Sequence, residues 1–101
     1  LMDQVEAMPT AIFTMSDMQA LGCVRALEAA GYKVPDDVSV LGYDNLEISD
    51  HVGLSTVDQY VELSGKRAIE YLLAIQQDKD AQPDVLPVQV VIPRQTTCSV
   101  V

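Results

Sequence analysis

The chain is poor in positive charge. Six lysines and arginines stand against fifteen acidic residues among 101, a formal charge of −9, which opposes contact with a phosphate backbone. Any nucleic-acid role would have to be carried by residues outside this stretch. Long apolar runs are missing as well: nothing approaches the ~20 residues of a membrane-spanning helix, so no membrane partner is expected. One histidine, His51, and two distant cysteines, Cys23 and Cys98, give no metal-ligand spacing. His51 reads as a solvated loop residue and the cysteines as reduced, mostly buried small apolar residues. There is no glycine-rich phosphate loop, no carboxylate pair beside a base and no nucleophile next to a histidine. No enzyme activity, cofactor or metal is therefore expected. Glycine and proline are too scarce for a disordered chain, and 49% hydrophobic with 21% charged residues is the composition of a small globular domain.

What is present is organised around Ala11 to Asn45, AIFTMSDMQALGCVRALEAAGYKVPDDVSVLGYDN. Ala11 to Met15 is apolar and reads as a strand buried on both faces. Ser16 and Asp17, both helix-capping types, interrupt it. Ala20, Val24, Leu27 and Gly31 then fall on one helix face, Gly31 stops the helix as the residue after its cap, and Val38 to Tyr43 resumes a strand. Few positions on this helix are strongly polar, so it should be covered on two sides. Strands joined by a helix lie parallel, which puts Ser16, Asp17, Asp44 and Asn45 at one sheet edge. That edge, beyond the carboxyl ends of the strands, is where open α/β sheets bind ligands.

Asn45 to Gly53 is a polar loop with room for a short helical turn. Leu54 to Val57 reads as a third strand, and Asp58 with Gln59 would join the same edge if it is parallel. Val61 to Gln77 is a second, amphipathic helix with Val61, Gly65, Ala68 and Leu72 on one stripe and Glu62, Lys66, Arg67 and Glu70 outside. Glu62 and Lys66 form a favourable i, i+4 pair. A linker follows, QDKDAQPD, and then a β-run from Leu86 to Ile92 whose flanking Pro87 and Pro93 suit an edge strand. The spacing of Leu1, Val5 and Met8 predicts the last turns of a helix that begins upstream, so the chain is expected to be a piece of something longer.

Taken in order, TMSDMQALGCVRALEAAGYKVPDDVSVLGYDN, LSTVDQ, SGKRAIEYLL and LPVQVVIPRQTT resemble the lactose-repressor (LacI/GalR) family of transcription regulators from about Pro9 to Thr97. The resemblance implies an α/β fold of the periplasmic-binding-protein-like type, a three-layer parallel sheet present here as a partial domain. Residues 1–57 and 86–101 would belong to the C-terminal subdomain, and residues 58–85, with a helix at 60–77, to the N-terminal one. It implies a cytoplasmic regulator that binds a small effector of the sugar or nucleoside class, forms dimers, and touches DNA only through a helix-turn-helix head upstream of this chain. A secreted solute-binding protein of a transporter shares the fold and is the alternative.

Carried over residue by residue, the resemblance makes Asp44 the ligand-binding acid, suited to accept from two hydroxyls. It places Ser16 and Asp17 where the family commonly has an Asn-Asp pair, and Gln59 near the cleft floor. Ser16 has one hydroxyl where an amide would offer more. The helix carrying Met18, Leu21, Val24 and Arg25 would lie at the subunit interface. Plainer alternatives stand beside these: Asp17 as a helix cap, Asp44 as the cap of a turn over Asn45 to Ser49, Gln59 as a structural side chain, and the apolar helix residues as core. With half the cleft elsewhere, this chain alone should bind effector weakly, and its uncovered helices should drive self-association.

Overall fold

A computed structural model describes residues 7–99, so the expected helical lead-in from Leu1 through Val5 lies outside the described residues. The first βαβ unit forms as its pattern requires. Strand β1 (Ala11–Phe13) leads into helix α1 (Asp17–Ala29) and then strand β2 (Ser39–Leu41), which pairs parallel to β1 with Ile12 opposite Val40. Ser16 is the N-cap of α1. Its hydroxyl accepts from the Gln19 backbone N–H, while the Gln19 side chain reaches back to the N–H of Met15, a variant of the reciprocal capping box. At the other end Gly31 takes φ +92, the Tyr32 N–H donates to Leu27 and the Gly31 N–H to Glu28. That is a Schellman close, and it needs the left-handed region that glycine enters freely.

Ala20, Leu27, Val38, Val40 and Leu54 are fully or almost fully buried and form the core between α1 and the strands, with Ile12, Leu21, Val24 and Tyr32 packed at its margin. Beyond β2, helix α2 (Glu47–Val52) occupies the polar loop and ends at Gly53, another left-handed glycine. Strand β3 (Thr56–Asp58) follows. A parallel bridge between Leu41 and Ser55, with the Gly42 N–H donating to Ser55 and the Asp44 N–H to Val57, aligns β3 with β2. The third polar pair, Asp58 and Gln59, therefore reaches the same edge as the first two.

Helix α3 (Val61–Gln77) and strand β4 (Val90–Ile92) complete the order. The sheet is not parallel throughout. Strand β4 runs antiparallel to β3, Val57 opposite Val91. The reason is topological: the chain leaves the sheet at the end of β3 and comes back across the same edge, so the returning strand must run the other way. The expectation of a doubly buried first strand also fails here, because β1 has only β2 beside it, and Phe13 and Met15 are 64% and 84% exposed. Cys23 is half-buried, and burial pushes its thiol up; Cys98, expected to be buried, is exposed.

Helix α3 has the predicted bounds but no buried residue. Val61, Ile69, Leu72 and Leu73 are each more than half exposed. The radius of gyration is 18.4 Å and the molecule extends 59 × 25 × 23 Å, against roughly 13 Å for a compact chain of about 100 residues. On the outer side Lys66 pairs with Glu70 at 3.8 Å rather than with Glu62. Lys66 lies four residues from both, and at this exposure either pair contributes only about 0.5 kcal/mol. Among the described residues no helix is long and apolar enough to cross a membrane.

Candidate functional site

The edge where β1, β2 and β3 end is built on a buried carboxylate. Asp17 is wholly buried in the first turn of α1. Its Oδ2 accepts from the Leu46 N–H at 2.8 Å and from Ser49 Oγ at 2.5 Å, and its Oδ1 accepts from Thr56 Oγ1 at 2.6 Å. Ser49 and Thr56 are themselves fully buried, and the helix N-terminus favours an acid at this point. Both carboxylate oxygens of Asp17, one of the residues read from the sequence as effector-binding, are thus engaged by the protein itself. Asp17 is not the cap, which is Ser16; it is the post to which α2 and β3 are tied. Gly42 leaves room for it, since a Cβ at that position would collide with Asp17 Oδ1.

Above this post the chain makes a turn in an uncommon conformation. Asp44 has φ 116 and Asn45 φ 55, two successive non-glycine residues in the region that L side chains disfavour. Such strain is found where a structure over-determines a functional position. The Asp44 N–H donates to Val57 O at 2.8 Å, and the Asn45 N–H donates to Thr56 Oγ1 at 3.1 Å. Among the described residues the Asp44 carboxylate accepts one side-chain hydrogen bond, from Gln59 Nε2 to Oδ1 at 3.0 Å. Asp44 does not cap α2, whose N-cap is Leu46 without a side-chain bond. Its other oxygen thus keeps its acceptor capacity.

Asp44 and Asn45 face a cavity of about 700 Å³ whose far wall is Tyr60 to Leu63, the start of α3. Of the residues read from the sequence, the structure joins Asp44 to Gln59 directly. It sets Ser16 nearby, since the Asp17 N–H donates to Tyr43 O at 3.0 Å, but Ser16 does not line this cavity and its hydroxyl already accepts from Gln19. A second, more apolar groove of about 600 Å³ runs along α1 and α2, lined by Met18, Leu21, Val24 and Arg25 with Ile48 and Val52. All four residues anticipated for a subunit interface lie on it. His51 is exposed on α2, and among the described residues no three histidine, cysteine or acidic side chains cluster as a metal site would require.

Residues 1–97 match the family model of the periplasmic binding protein-like domain. The chain belongs to that family. Within it, the chain is 42% identical over 92 residues to the HTH-type transcriptional repressor PurR of Vibrio parahaemolyticus, covering 86% of this chain and 28% of that protein. The lac repressor dimer bound to operator and the anti-inducer ONPF superimposes with a TM-score of 0.78 at 33% identity, over 90% of this chain and 32% of the repressor chain. A complex of the regulator CelR with cellobiose gives 0.72 at 30% identity, over 86% of this chain and 28% of CelR. The chain thus spans about a third or less of these relatives, as a partial effector-binding domain of the LacI/GalR type.

Sequence reasoning missed Ser49, Thr56, Thr96 and Arg94. Thr96 stitches β2 to the segment before β3: its hydroxyl donates to Val40 O and accepts from the Ser55 N–H. Arg94 donates from one guanidinium nitrogen to Leu54 O at 2.9 Å and from another to Asn45 Oδ1 at 3.0 Å. The closing Arg-x-Thr was visible as a family mark, but nothing local told what it holds. Because the Asp17 carboxylate meets three donors, Asp17→Asn turns an acceptor into a donor against them and should cost about 3 kcal/mol. Gly42→Ala should also destabilise, by about 1–3 kcal/mol, through overpacking on the same group. Urea unfolding of the full-length variants checks both, and a change below about 0.5 kcal/mol in either would sink this account of the post.

Proposed function

We propose that this chain is the C-terminal part of the effector-sensing domain of a bacterial LacI-type transcription regulator, with Asp44 as the acid that binds the effector. The observation that carries the reading is the Asp44–Asn45 turn. It holds a carboxylate in a strained conformation at the ligand-binding edge of the sheet, braced on one oxygen by Gln59 and facing a cavity closed by the start of α3. A carboxylate so placed accepts from neighbouring hydroxyls, which suits a sugar or a ribose. Ser16 lies at the margin and contributes at most its O–H. Residues 58–85 belong, in this reading, to the other subdomain, so that an effector bridging Asp44 and that subdomain favours one arrangement of the two and shifts DNA affinity in a head outside this chain. The regulator is cytoplasmic and acts as a dimer, and the groove along α1 and α2 is its subunit face. A transporter-linked solute-binding protein shares the fold, but the relatives named above are regulators.

Three measurements test these statements. Isothermal calorimetry of the full-length protein against neutral sugars and nucleosides should find a ligand whose affinity falls at least about tenfold in Asp44→Ala, the worth of a charge-assisted hydrogen bond; unchanged affinity would remove Asp44 from the site. Val24→Asp should convert dimers to monomers in light scattering, and a dimer that persists would move the subunit face elsewhere. The gene upstream of the Leu1 codon should encode a short helix-turn-helix head, whereas a secretory leader running directly into the sugar-binding fold would overturn the regulator in favour of the solute-binding protein.

A further inference from the structure

We propose that Arg94 is the positioning residue of the effector turn, clamping Asn45 in its left-handed conformation and so fixing where Asp44 stands. The consequence for ligand binding rests on the reading of Asp44 given above; the clamp itself does not. Arg94 lies two residues beyond β4, the strand that returns from α3, and its side chain is only 15% exposed. The guanidinium meets three groups through its three nitrogens. It donates to Leu54 O and to Asn45 Oδ1, and its Nε lies 3.7 Å from Asp50 Oδ1 on α2. The Arg94 backbone N–H donates to Ser55 Oγ at 2.7 Å, so the base of the side chain is pinned as well as its tip.

Asn45 is the residue that needs holding. An asparagine at positive φ commonly hydrogen-bonds locally with its own side chain, but here the amide oxygen is taken by Arg94, and the amide nitrogen lies 3.5 Å from Asp58 Oδ2. Asp58 in turn accepts from the N–H of Tyr60 at 2.9 Å, where the chain turns left-handed into α3. The planar fork of arginine presents separate nitrogens to Leu54 and Asn45 in a fixed geometry, which the single nitrogen of a lysine on its flexible stem does not. Asp44, one residue before Asn45, has the more strained φ. Whatever fixes Asn45 therefore fixes the direction from which the Asp44 carboxylate meets the cavity. Since Arg94 follows directly on the strand that comes back from α3, the same clamp ties the returning crossover to the turn.

The test is residue-resolved hydrogen exchange on the full-length protein without ligand, so its outcome is independent of whether Asp44 touches an effector. In Arg94→Gln the amides of Asp44 and Asn45 should exchange about tenfold faster or more, while those of α1, such as Ala20, keep their rates. Arg94→Lys should fall between the two. Asp50→Asn, which removes only the ion pair, should leave the turn as it was. If Arg94→Gln does not fold, Asn45→Ser, which withdraws the acceptor and leaves Arg94 on Leu54 and Asp50, should speed the same two amides. Unchanged turn amides in a folded Arg94→Gln or Asn45→Ser protein would overturn the clamp. So would a uniform rise across α1 and α2, or an Asp50→Asn protein as loose at the turn as Arg94→Gln.

Discussion

A carboxylate placed where water does not reach must find its partners within the protein, and the three partners of Asp17 come from two later elements of the chain. The N–H of Leu46 opens α2, Ser49 lies inside α2, and Thr56 begins β3. Three donors, two of them on the fully buried Ser49 and Thr56, would lose their acceptor if Asp17 were lost, so the cost of removal is spread over both elements. This interaction therefore decides where α2 sits and how β3 is held against β2. It also explains why residue 42 is glycine: the space a side chain would need is occupied by Asp17 Oδ1, Leu54 and Ala20.

The strained turn is a consequence of that anchoring. Thr56 donates its hydroxyl hydrogen to Asp17, and its oxygen accepts from the Asn45 N–H; the same hydroxyl thus links the buried post to the half-buried turn. Val57 O takes the N–H of Asp44. With both backbone donors committed to β3, the turn cannot relax to an ordinary conformation without breaking a bond on each residue. The strain at Asp44 and Asn45 costs on the order of 1–3 kcal/mol per residue, which a hydrogen bond to each backbone and the Arg94 contact can offset.

The elements were legible because they are local. Gly31, Ser16 and the spacing from Ala20 to Leu27 specify α1 without help from the rest of the chain, and α3 follows from its own periodicity to the residue. That the first two polar pairs share one edge follows from the parallel crossover alone, and the third joins them because β3 is aligned parallel to β2. The role of Asp17 was not legible, since an acid at the start of a helix looks the same whether it faces solvent or three donors that arrive 29 to 39 residues later. Arg94 was hidden for the same reason: its acceptors, Leu54 O and Asn45 Oδ1, are 40 and 49 residues away. The antiparallel return of β4 was missed because strand direction depends on where the intervening α3 segment leaves and re-enters, which periodicity does not record.

The charge around the cavity bears on what it can hold. Asp44, Glu47, Asp58 and Glu62 line it, and among the described residues no lysine, arginine or histidine does. Arg94 does not line it, and its guanidinium holds Leu54 O and Asn45 Oδ1 and lies by Asp50. A phosphate ester or carboxylate would meet repulsion here. Hydroxyls meet the opposite situation, because every carboxylate oxygen left unoccupied is an acceptor and an uncharged donor brings no charge to desolvate. Four carboxylates around one cavity thus favour an uncharged hydroxyl over an anion at this edge of the sheet.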